Sequence, residues 1–118
     1  MTERITSVAE ATILPGKLEA FKEVAAKLIQ NVQANEPGTL VYTYHMNEDE
    51  TKCTVIEHYQ DSAAVLTHLV NFGPLAEEFL STCEFSNLTL YGNPSADLSG
   101  ALADFGPGVY PFYAGVVR

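Results

Sequence analysis

The chain has 118 residues and a formal charge of −9, with 47% hydrophobic and 18% charged residues. That length carries one domain around a single core, and the apolar fraction is too high for a disordered segment. Six Lys and Arg against fifteen Asp and Glu argue against nucleic acid or an anionic membrane as partner, and no apolar run nears the roughly 20 residues of a membrane span.

The N-terminus, MTERITSVAEATILPG, is charged and lacks a signal-peptide apolar block, so a cytoplasmic location is expected. Residues 4–13 are rich in β-branched side chains and stop at Pro15-Gly16, which reads as a first strand. Residues 17–34 space Leu18, Phe21, Val24, Leu28 and Val32 by three and four, which reads as a helix with one apolar stripe ended by Pro37-Gly38. Residues 39–46 and 52–60 are β-rich runs flanking an acidic loop, hence a hairpin. Asp61-Ser62 offers a cap for a second helix through Val65, Leu66 and Leu69. Gly73-Pro74 is expected to interrupt that helix, with PLAEEFL as a second short piece, before a fourth strand at 84–91.

The order β-α-β-β-α-β specifies an α+β, ferredoxin-like split arrangement. Its strands do not alternate cleanly. Leu40, Tyr42, Tyr44 and Met46 oppose Val41, while Val55 and Tyr59 oppose Ile56, so both sheet faces carry apolar side chains. Two helices cover only one face. The simplest cover for the other is a second copy of the chain, and a homodimer is expected. The division expected is a domain over residues 1–92 and an aromatic extension over 93–118. The tail holds Phe105, Tyr110, Phe112 and Tyr113, each costing about 1.5–3 kcal/mol if left in water. Ser95 can cap a short helix in SADLSGALADF, and Pro111 confines GVYPFYAGVV to an edge or wrapping segment. The tail is expected to pack on the dimer or to close a cavity.

Three segments in order, LPGKLEAFKEVA, NEPGTLVYTYHMNED and TVIEHYQDSAAVLTHL, give the chain a family resemblance over residues 4–91. A Pro-Gly-Lys helix start, a Glu-Pro-Gly turn, and Glu-x-aromatic leading to His-Leu resemble the antibiotic-biosynthesis monooxygenase domain. The resemblance implies a dimeric α+β barrel that oxidises a small aromatic substrate. The haem-degrading branch of that family uses an asparagine on strand one and a Trp and His near the second helix. Here the strand carries Ala9 and Glu10, and the chain has no Trp, which speaks against haem.

Oxidation by dioxygen without a cofactor needs an electron-rich substrate anion, hence a base in a dry aromatic cavity. No GxGxxG or zinc-type cysteine spacing is present, and Cys53 and Cys83 read as buried free thiols. No bound cofactor is therefore expected. Glu57 lies among apolar neighbours, which raises a carboxyl's pKa, although it also suits structural hydrogen bonding. His68 sits beside the helix stripe as base or donor, or as a satisfied structural histidine. These two are the candidate catalytic residues, with Tyr59 and His45 as candidate substrate-binding walls. Glu57 and His58 point to opposite strand faces, so no metal is expected. The expected activity is cofactor-independent monooxygenation of a quinol or phenolic aromatic. The other readings are a dimeric binding module without turnover, and an isomerase or decarboxylase using the same base.

Overall fold

The computed structural model describes residues 2–118. Strand β1 spans Ile5–Ile13, helix α1 Leu18–Asn35, β2 Thr39–Met46, β3 Lys52–Tyr59, α2 Ser62–Leu80 and β4 Cys83–Tyr91. After these come α3, Ala96–Leu102, a 3-10 turn over Ala103–Phe105, and a short β5, Gly108–Tyr110. The strand order is β2-β3-β1-β4-β5, with β1 to β4 antiparallel and β5 parallel to β4. This is the expected split arrangement with one added edge strand. Pro111 ends β5 after three residues, because a proline cannot donate to the ladder.

Helix α1 buries Phe21, Val24, Leu28 and Val32, the stripe read from their spacing. The Asp61 side chain caps α2 by accepting from the Ala64 amide at 2.9 Å. Gly73-Pro74 does not interrupt α2, contrary to expectation; the helix runs unbroken to Leu80. A proline disfavours helix in the residue before it by clashing with that residue's Cβ, and Gly73 has none. Pro74 leaves the Val70 carbonyl without its helical donor, on the turn whose Val70 is 75% exposed. Below, Phe72 and Leu75 pack against the core that contains Phe79, so both halves are held to one layer.

Both helices cover the same face of the sheet. On that face β1 presents Ile5, Ser7, Ala9, Ala11 and Ile13, all buried. The strand is bulky at its ends and small in its middle. Two core clusters result, one around Phe21, Leu28, Val55 and Phe79, the other around Ile5, Tyr59, Val65 and Leu90. The tail completes the second cluster with Leu98 and Leu102. Ser95 caps α3, accepting from the Leu98 amide at 3.1 Å, and its own amide donates to Ser62 Oγ at 3.0 Å. Cys53 and Cys83 are free and buried.

Among the described residues no helix covers the opposite face. Val8, Val41 and Ile56 are half-buried there, and at its edge Tyr91 stacks on Tyr110 with ring centroids 5.4 Å apart. Tyr113, beyond it, is fully exposed. A bulge near the start of β2 places Val41 opposite His58 and Tyr42 opposite Glu57. That register decides which side chains face the helices.

Candidate functional site

The small residues in the middle of β1 leave a hollow between sheet and helices, with a volume of about 290 Å³. Ser7 and Ala9 form part of its floor, and Phe72 and Phe79 of α2 part of its roof. The tail borders it through Leu102, Phe105 and Gly106. Most of its wall is aromatic or aliphatic, as small-molecule sites usually are.

The polar side chains gather where β1, β2 and β3 lie in register. Ser7 stands opposite Glu57, and Glu57 opposite Tyr42, forming one row across the floor. Tyr59 lies two residues along β3 on the same face. Glu57 Oε1 accepts a short hydrogen bond from the Tyr59 hydroxyl, and Oε2 accepts one from Ser7 Oγ at 3.5 Å. Burial pushes the Glu57 carboxyl up from its ordinary value, against the downward pull of His68, Tyr59 and Ser7. The phenol of Tyr59 is pushed well up, first by burial and then by Glu57.

His68 descends from α2 between two carboxyl groups. Its Nδ1 is 2.9 Å from Glu36 Oε1, and its Nε2 is 3.6 Å from Glu57 Oε1. Glu36 is 3% exposed and follows the last turn of α1, which has no basic residue. A carboxylate there opposes the helix dipole. Donors offset that: Thr39 Oγ1 at 2.9 Å and Asn71 Nδ2 at 3.3 Å, beside His68. The tautomer in which Nδ1–H donates to the Glu36 carboxyl oxygen leaves Nε2 as the acceptor turned toward Glu57. The imidazole is packed against Tyr42, with ring centroids 5.2 Å apart, and stacked on Phe72 at 6.2 Å.

The structure thus brings His68, Glu57 and Tyr59 together in one cavity. It does not bring His45 there. His45 pairs with Thr54 on the opposite sheet face, where its Nε2 lies 3.0 Å from Thr43 Oγ1 in an exposed position. The alternation of strand side chains puts His45 and Tyr44 on different sides, so the expectation of His45 as a wall of this cavity is corrected; His45 borders a second hollow at the β2–β3 turn end of the sheet, with Met46, Lys52 and Thr54. Glu36, Ser7, Tyr42 and Tyr44 are the site residues missed from the sequence. Glu36 had a signal in its place within the Glu-Pro-Gly turn, and the Ser-x-Ala-x-Ala run of β1 announced missing volume at the centre of a sheet.

As chemistry, the cluster can take a proton and return it. Nε2 and the Glu57 carboxyl both line the hollow, one held by a second carboxyl and the other by burial.

The fold has solved relatives. MupZ from Pseudomonas fluorescens is 28% identical and superposes with a TM-score of 0.90 over 100% of this chain and 91% of that one. A putative antibiotic biosynthesis monooxygenase from Caulobacter crescentus is 27% identical, with a TM-score of 0.65 over 75% of this chain and 86% of its own. SnoaB from Streptomyces nogalater, a cofactor-independent oxygenase, is 20% identical with a TM-score of 0.68, over 80% and 97%; at that identity the likeness is one of fold. Of these three, MupZ alone is matched over the full chain, tail included. No curated protein sequence matches significantly. The family model described as antibiotic biosynthesis monooxygenase matches residues 4–71, more than half of the 118, and the chain belongs to that family.

Proposed function

We propose that the chain is a cofactor-independent monooxygenase for a small phenolic or quinol-type aromatic, bound in the cavity beneath α2. The observation that carries this reading is the pairing of His68 Nε2 with the buried Glu57 carboxyl inside an aromatic-walled hollow. His68 Nε2, oriented by Glu36, takes the proton of the substrate hydroxyl. The anion passes one electron to dioxygen, and the radical pair closes a carbon–oxygen bond. The same proton, returned through His68 or Glu57, lets the peroxide lose water. One oxygen atom stays on carbon as a carbonyl and the other leaves in water, with the substrate supplying both hydrogens. A dry wall protects the radical pair, and the tail residues Leu102 and Phe105 help to close the cavity.

The active form in this reading is a homodimer joined through the uncovered sheet face. Its half-buried Val8, Val41 and Ile56 and the Tyr91–Tyr110 stack supply the apolar area that such an interface needs. The tail packs on the second core cluster through Leu98 and Leu102, borders its own cavity through Leu102 and Phe105, and in this reading offers Tyr110 and Tyr113 to the partner copy.

The test is protein-dependent oxygen uptake with a panel of reduced quinones and polyphenols, corrected for autoxidation, beside His68→Ala and Glu57→Gln. Uptake lost in either variant supports the reading. Uptake that never exceeds the protein-free control sinks it. The site also holds an acid and a base side by side, which favours a second reading, an isomerase that moves a proton between neighbouring atoms. Turnover that persists under argon distinguishes it.

A further inference from the structure

Tyr42 and Tyr44 stand side by side on β2 with their hydroxyl oxygens 2.7 Å apart, and both line the cavity. Two phenols bring two O–H donors, yet a single hydrogen bond between them uses one. Neither hydroxyl has another protein partner among the described residues. One O–H is therefore unclaimed, beside an apolar hollow. Burial pushes both phenols up from their ordinary value, so both keep their protons near neutral pH and serve as donors. A ligand that fills the cavity must bring an acceptor or leave that O–H unpaired. Tyr42 also faces Glu57 across the β2–β3 ladder, so donor and proton acceptor lie on one row of the floor.

We propose that Tyr42 and Tyr44 form a donor subsite for a second oxygen of the ligand. The ligand class is then a conjugated hydroxy-carbonyl aromatic, whose acidic O–H meets His68 and whose carbonyl meets the tyrosine pair. When Nε2 takes the proton, the electron pair left on the substrate oxygen delocalises through the ring toward that carbonyl oxygen. A neutral donor waiting there stabilises the developing charge without adding a charge to a site that already holds two carboxyl groups. The inference rests on the reading of the cavity as a site for an oxygen-bearing aromatic, and it adds where the second oxygen sits.

Equilibrium dialysis with two probes on one ring frame tests it: 1-tetralone, which carries only an acceptor oxygen, and tetralin, which carries none. The protein variant is the double Tyr42→Phe/Tyr44→Phe. Replacing both partners of a hydrogen bond by shape-matched apolar groups is nearly neutral for folding, and a melting curve verifies that. The expected result is that 1-tetralone binds the variant about 3- to 10-fold more weakly while tetralin binds unchanged. Each single Phe variant keeps one O–H and retains most of the preference for the ketone. Equal losses for both probes, or no loss for either, overturn the donor subsite while leaving the cavity as an aromatic site. A wild-type protein that binds neither probe overturns the cavity reading and this inference with it.

Discussion

Filling the floor of the cavity separates a functional hollow from an ordinary packing gap. Ala9 is buried on β1, opposite Val55 on one side and Leu88 on the other, and its methyl borders the hollow. Ala9→Leu adds three carbon atoms there. At about 0.8 kcal/mol for each buried CH₂, the ceiling is roughly 2.4 kcal/mol of added stability. A hollow of about 290 Å³ cannot close around three carbons on every side, so about half of that, ~1 kcal/mol, is the working figure. For a chain of this size that raises the melting temperature by about 3–6 °C. Binding of 1-tetralone, and oxygen uptake with any active quinol, should fall at least roughly 10-fold because the ring loses its place. The assays are a thermal melt and the same dialysis experiment. A melting temperature lowered as by overpacking, about 1–3 kcal/mol, would show that no hollow exists at Ala9. A stabilised variant that binds 1-tetralone as before would show that the ligand sits elsewhere.

Other perturbations test Glu57, the seating of α2 and the exposed edge of the sheet. Burial holds the Glu57 carboxyl above its ordinary range in the folded chain, so its contribution to stability is full below the unfolded pKa, about 4.3, and is lost as pH rises through the folded titration. Glu57→Gln does not titrate; urea unfolding should find its stability relative to the native chain growing with pH across that window, and a pH-independent difference refutes the assignment. A Cβ on Gly38 would lie 2.8 Å from the Ala64 Cβ, so Gly38→Ala should push the start of α2 off the sheet. We expect a loss of about 1–3 kcal/mol by denaturant titration together with weaker ligand binding; an unchanged midpoint would mean that the helix yields freely. Pro74→Ala restores an amide donor to the Val70 carbonyl in α2 and should stabilise by about 1–3 kcal/mol, with failure to raise the melting temperature counting against the unbroken helix. Tyr110→Ser should shift a dimer toward monomer in sedimentation if the Tyr91–Tyr110 edge is part of the interface, and an unaltered dimer removes the tail from it.

Much of this is written in the amino-acid sequence itself. The spacing of Phe21, Val24, Leu28 and Val32 determined a helix and its buried face, since a 3.6-residue period admits one stripe. The β-branched runs and their punctuation determined four strands in the split order, and Asp61 and Ser95 marked two helix starts by the capping chemistry of their side chains. His68, Glu57 and Tyr59 were legible as candidates because titratable groups among apolar neighbours need partners. Local rules failed where distant parts of the chain decide. Gly73-Pro74 reads as a break, but packing of Phe72 and Phe79 against one core outweighs the loss of one helical hydrogen bond. Strand parity linked Glu57 to Tyr59 and His45 to Val41, yet only the β2 bulge and its pairing with β3 showed which set faces the helices. Glu36 is far from His68 in sequence and meets it because the end of α1 and the middle of α2 cross the same corner of the sheet. Sequence alone thus determined the elements and the chemical inventory, because periodicity and capping are local. The cavity, and the meeting of Glu36, His68 and Glu57 within it, depended on register and helix packing, which couple residues too far apart in the chain for any local pattern to join.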